Sequence, residues 1–270
     1  MRHLVLLALV AVSWVALFLV GPIRQPQAYY RFADQRAMLG IPNFCDVTTN
    51  LPFLFIGLAG LGWGWSARSR DLESRSCWIA MFAGVASIGL GSAYFHWNPQ
   101  DGTIFWDRAS LAVGFMGFFV AILSEYVSPR LGRWLLGPGL VLAIGSVAYW
   151  REVNDLRPYL WVQFTPMLLI PVVLALYRPR FTHSWITVAV LGIYAVAKVA
   201  ELGDVRLFDW TGGRFSGHSL KHLLGAVACA GLLIQVRIRH RLAEGAVTGS
   251  GEASGWWPRF VRVRRSPPIP

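Results

Sequence analysis

CWIAMFAGVASIGLGSAYFH, residues 77–96, is twenty residues without a carboxylate, lysine or arginine. A helix of about that length crosses the ~30 Å hydrocarbon core of a bilayer. The run nevertheless closes on Ser92 and His96, four residues apart and therefore on one helical face.

Similar runs recur along the chain. The 270 residues are 55% hydrophobic and 14% charged, with a mean hydropathy of +0.47, well outside the range of an aqueous domain. Eight spans are expected, at about residues 3–20, 47–65, 77–96, 105–124, 132–149, 158–177, 184–200 and 217–236. Trp65, Trp97, Trp150 and Tyr177 fall at span ends, as an interfacial aromatic belt requires. Pro138, Pro166 and Pro171 fall inside spans and predict kinks. The expected fold is an all-α polytopic membrane bundle: an N-terminal helix within 1–22, an outer loop over 23–46, a seven-helix core over 47–236 and a disordered basic tail over 237–270. The first span lacks a small-residue cleavage site near residue 20 and is long for a signal sequence, so it reads as a retained helix.

The formal charge of +11 would suit nucleic acid, but the spans account for it. With the N-terminus cytoplasmic, fifteen of the 23 arginines and five of the 14 acids fall on the inner side, leaving eight arginines and nine acids outside. This is the positive-inside pattern of a multi-pass protein with both termini in the cytoplasm, such as one of a bacterial inner membrane. No nucleic-acid partner or obligate protein partner is expected. Cys45, Cys77 and Cys229 form no CxxC pattern and give no disulfide framework.

Alternating span directions bring His96, His218 and His222 to one outer level, together with Asp107. His218 and His222 share a helix face, as do Ser92 and His96. Three histidines are the smallest set that holds zinc with a fourth position open, and zinc lowers the pKa of water toward ~7. Asp107 is placed to accept and return a proton, and Ser92 to donate a hydrogen bond to a developing oxyanion. A single intramembrane histidine or serine usually bonds a neighbouring helix, but three histidines and an aspartate at one depth point to function. Thr48, Thr49 and Asn50 either cap the second span or bond across helices. Lys198 and Glu201 read as a local ion pair, and Lys221 as a side chain directed up to the interface.

GLGSAYFH at 89–96, Asp107 within FWDRASL, and GHSLKHLLG at 217–225 together resemble the alkaline ceramidases. These belong to a wider group of seven-helix membrane hydrolases that includes the adiponectin-receptor type, and the resemblance covers residues 43–236. It implies a zinc amidohydrolase that cleaves the N-acyl bond of ceramide-like lipids to a fatty acid and a sphingoid base. Zinc would sit on His96, His218 and His222, with Ser92 and Asp107 catalytic and the site toward the outer leaflet. Some positions depart from the family pattern. Asn43 stands where a calcium-binding glutamate is usual, leaving Asp34 and Asp46 as the acids available for a calcium ion. Asp107 is followed by Arg108-Ala109-Ser110-Leu111 rather than Glu-x-Pro-Met, and Lys221 replaces a tryptophan. Two other readings remain open from the residues: a haem-binding electron carrier using His96 and His222, and a catalytically silent receptor or scaffold on the same fold.

Overall fold

The structure is a computed structural model that describes residues 1–242. Its long helices are α1 (Arg2–Leu19), α3 (Leu51–Trp65), α4 (Arg75–Trp97), α5 (Asp101–Ile122), α6 (Pro129–Val153), α7 (Arg157–Leu176), α8 (Trp185–Leu202) and α10 (Gly217–Ile238). Two short helices, α2 (Phe44–Thr48) and α9 (Asp204–Trp210), lie between them. Among the described residues eight segments are long and apolar enough to cross a bilayer, and none forms a β-strand beyond isolated bridges. The expected spans match these helices to within a few residues. α6 and α7 run on through their internal prolines as single helices.

Small residues set the central packing. α4 lies against α3 and α5, and a Cβ on Gly84 would stand 2.4 Å from the Gly114 backbone nitrogen, so only glycine lets α4 and α5 approach this closely. α10 packs on α8 and α3. Large apolar side chains such as Phe55, Val141, Leu168 and Val188 point outward, as on a surface that faces lipid. α1 stays outside the core and leans on α7, where Trp14 meets Trp161 edge-on and Trp161 Nε1 donates to Ser13 Oγ at 3.1 Å.

The loop expected over 23–46 is an ordered strap across one end of the bundle. Ile23 N donates to Asp155 Oδ1, Tyr30 OH bonds Asp101, and Ala33 N donates to Asp204 Oδ2. Each bond ties the strap to the turn between two spans.

The opposite end is closed by an ion pair. Glu125 lies in a π-helical turn at Leu123–Val127 that extends α5. It accepts from Ser74 Oγ and Trp78 Nε1, both at 2.6 Å, and from Arg239 Nη1 and Nη2 at 2.6 and 2.7 Å. Both partners are buried. The first residues of the expected tail, 237–242, are instead placed against the bundle. Residues 237–238 finish α10, Arg239 is held by Glu125, and His240 and Leu242 pair with the backbone at Thr182 and Arg180. The rest of the expected disordered tail lies outside the described residues.

Truncating one partner of a buried ion pair leaves the other charge uncompensated, at a cost of ~3–5 kcal/mol. Glu125→Ala is therefore expected to lower the melting temperature of the detergent-purified protein by far more than Glu73→Ala, which removes an exposed acid. Equal melting temperatures for the two variants would contradict this role.

Candidate metal centre

Each histidine arrives on a helix whose end is fixed by local chemistry. His96 occupies the last turn of α4, where Asn43 Nδ2 donates to the His96 carbonyl at 2.8 Å and satisfies a carbonyl that the helix end leaves free. α10 starts at Ser216, whose Oγ accepts from Ser219 N at 3.0 Å, as an N-cap serine does. Gly212 and Gly213 adopt positive φ (63° and 72°) where the chain turns toward this cap. Gly217 is pressed onto the end of α8, since a Cβ there would stand 2.1 Å from the Ala200 carbonyl oxygen. Asp204 Oδ1 then accepts from His218 N at 2.7 Å, while its Oδ2 holds the strap at Ala33. One carboxylate thus joins the start of α10 to the strap.

The three imidazoles meet. All are buried, their ring centroids are 4.8–4.9 Å apart, and one nitrogen from each lies within 4.8 Å of the other two. His96 Nε2 and His218 Nε2 are 3.2 Å apart. Two nitrogens bound to one tetrahedral ion at ~2.0–2.1 Å stand roughly 3.3 Å from each other. The donor set therefore fits a compact cation of the zinc class. It does not fit bis-histidine haem, because rings with centroids 4.9 Å apart leave no space for a macrocycle between His96 and His222.

The tautomer of His222 is set by Thr49. The Thr49 hydroxyl donates to the Cys45 carbonyl at 2.7 Å, so toward His222 Nδ1, 3.0 Å away, its oxygen acts as the acceptor. Nδ1 then carries the proton and Nε2 keeps its lone pair for an ion. This is the cross-helix alternative for Thr49. Asn50 Nδ2 donates to the Asp46 carbonyl at 2.7 Å and also lies 3.4 Å from His222 Nδ1. Phe32, on the strap, stacks on both His96 (4.6 Å) and His218 (4.7 Å) and covers the group.

Ser92, Asp107 and His222 line one cavity of about 350 Å³. The structure thus joins the serine, the aspartate and the histidine cluster. Lys221 departs from the expectation that it rises to the interface. It lies in the cavity wall, with Nζ 2.9 Å from both Glu201 Oε1 and His218 Nε2. The cause is Glu201: paired with Lys198 as expected, it also attracts the second ammonium. The pair of acids considered for calcium has other work. Asp34 binds Arg36 through both oxygens, and Asp46 Oδ1 accepts from Ser219 at 2.6 Å. Among the described residues neither acid joins a cluster of three metal-ligating groups. Burial raises the pKa of Asp34, but the hydrogen bonds from Arg36 outweigh it and hold the carboxyl below its usual value. Tyr29, in the cavity wall, is pushed up by burial and stays a neutral phenol.

Searches found no matching family model and no matching curated protein.

His222→Ala is expected to abolish stoichiometric metal retention in purified protein. Thr49→Val, which removes the acceptor at Nδ1, is expected to weaken metal affinity about 10–100-fold. Metal analysis after dialysis against a graded chelator series checks both, and unchanged retention in His222→Ala would contradict the assignment.

Proposed function

We propose that this chain is a zinc-dependent intramembrane amide hydrolase of the ceramidase type, acting on N-acyl lipids at the outer leaflet of a bacterial inner membrane with both termini cytoplasmic. The observation that carries the reading is a cluster of three buried imidazoles, one of which, His222, lines the same largely apolar cavity as Ser92 and Asp107. The orientation rests on the arginine distribution.

A zinc-class cation, when bound, supplies Lewis acidity toward a carbonyl oxygen and toward water. The chain supplies the rest. His96, His218 and His222 offer three nitrogen ligands. Asp107 accepts one proton from water as its oxygen adds to the amide carbon, and returns that proton to the nitrogen as the C–N bond breaks. A free acid and a free amine result. Ser92 lines the cavity beside Asp107, where its hydroxyl can donate to the carbonyl oxygen. Phe32 shields His96 and His218 from bulk water. Apolar walls from Val85, Phe115, Phe118 and Leu232 accommodate the acyl chain.

The test is fatty-acid release from a panel of N-acyl lipids by zinc-loaded protein. Release that a chelator abolishes and zinc restores is expected. No release from any member by protein that retains its metal would overturn the reading. Asp107→Asn is expected to retain metal and lose about 10²–10⁴-fold in turnover, and full activity in that variant would move the acid–base role elsewhere.

A further inference from the structure

The polar end of the cavity carries a charge that the hydrolytic reading does not use. Arg108 lies on α5 next to Asp107, is 5% exposed, and lines the same cavity as Ser92 and His222. It forms no ion pair with any described carboxylate. Asp107 does not serve, because successive residues on a helix project about 100° apart. Nη2 donates to Gln25 Oε1, and Nη1 has no hydrogen-bond partner. The guanidinium is held by faces instead, 4.2 Å from the Trp150 ring centroid and 5.2 Å from that of Tyr159. Aromatic faces stabilise a cation without accepting its N–H groups.

This arrangement is costly for mere packing. A buried, unpaired arginine within a membrane-spanning segment is rare and retained for a purpose. A glutamine or methionine could fill the same slot between Trp150 and Tyr159 without a charge. The strap adds a second sign of construction. Gln25 N is bonded to Asn154 Oδ1 at 3.3 Å, and the neighbouring Ile23 is fixed to Asp155, so the glutamine that orients Arg108 is itself anchored at the turn between α6 and α7.

The wider electrostatics agree. Lys198 and Lys221 share one carboxylate, Glu201, at the same end of the cavity. With Arg108 they make three cations facing two acids, Glu201 and Asp107. Following α5 down the cavity, polar Asp107 and Arg108 give way to Leu111, Phe115 and Phe118. The cavity therefore has the polarity of an amphiphile with a negative head and an apolar tail. A neutral diol headgroup would leave the guanidinium charge unbalanced, whereas a carboxylate accepts both N–H groups and neutralises it.

We propose that Arg108 is a specificity residue that binds the anionic headgroup of the substrate, so that the preferred substrates are N-acyl lipids whose amine portion carries a carboxylate. This rests on the amide-hydrolase reading for turnover, but the binding claim stands apart from it.

The experiment measures binding and turnover separately, on full-length zinc-loaded protein in neutral-lipid nanodiscs. The probes are N-oleoylglycine, N-oleoylethanolamine and oleate, which share one chain and differ in the head. Wild type is expected to bind N-oleoylglycine at least tenfold more tightly than N-oleoylethanolamine. Arg108→Gln should bring that ratio near one, and Arg108→Lys should retain part of it. The wild-type ratio alone tests the proposal if Arg108→Gln fails to fold. A wild-type ratio near one, or an undiminished ratio in folded Arg108→Gln, would overturn it. So would Arg108-dependent binding of oleate together with equal binding of the two amides, since the site would then belong to the released acid. A tenfold preference without release of oleate from either amide would support the headgroup assignment and refute the hydrolase. Release from both amides at equal affinity would do the reverse.

Discussion

Three imidazoles with ring centroids 4.8–4.9 Å apart, shut away from water, are the constraint on which the rest of this end of the molecule depends. Such a group could hold a metal ion. Around them the protein invests in orientation. Thr49 sets a tautomer, Asn43 closes α4 behind His96, and Asp204 pins the first turn of α10 to the strap. The close contacts at Gly84 and Gly217 bring the carrying helices into range.

The two ends of the bundle solve different problems with the same chemistry. At one end Glu125 and Arg239 bury a matched pair, and the same carboxylate satisfies Ser74 and Trp78, while Arg239 Nε is left without a partner. At the other, Arg108 keeps an N–H without a partner, and Lys221 sits between Glu201 and a histidine nitrogen.

Much of this could be read from the residues alone. Hydropathy located eight helices because every span must satisfy its own backbone in lipid. The His-x-x-x-His spacing and the alternating direction of the spans placed the three histidines at one depth, since both are helix geometry. Side-chain direction was less legible. Lys221 was expected to reach the interface, yet Glu201, twenty positions away on another helix, draws it inward. Phe32 and Asp204 carried no local signal, because each acts from a strap or short helix whose position is fixed only in the packed bundle. The same holds for Arg239, which lies just past the end of α10 and joins the core through Glu125 and the ring faces of Phe181 and Trp78.

The most direct measurement is metal K-edge X-ray absorption on the purified protein at neutral pH. The account predicts one zinc-class ion per chain with three imidazole nitrogens at ~2.0–2.1 Å. A metal-free protein after zinc reconstitution, or an ion bound by fewer than three imidazoles, would contradict the convergence of residues 96, 218 and 222 on one cation.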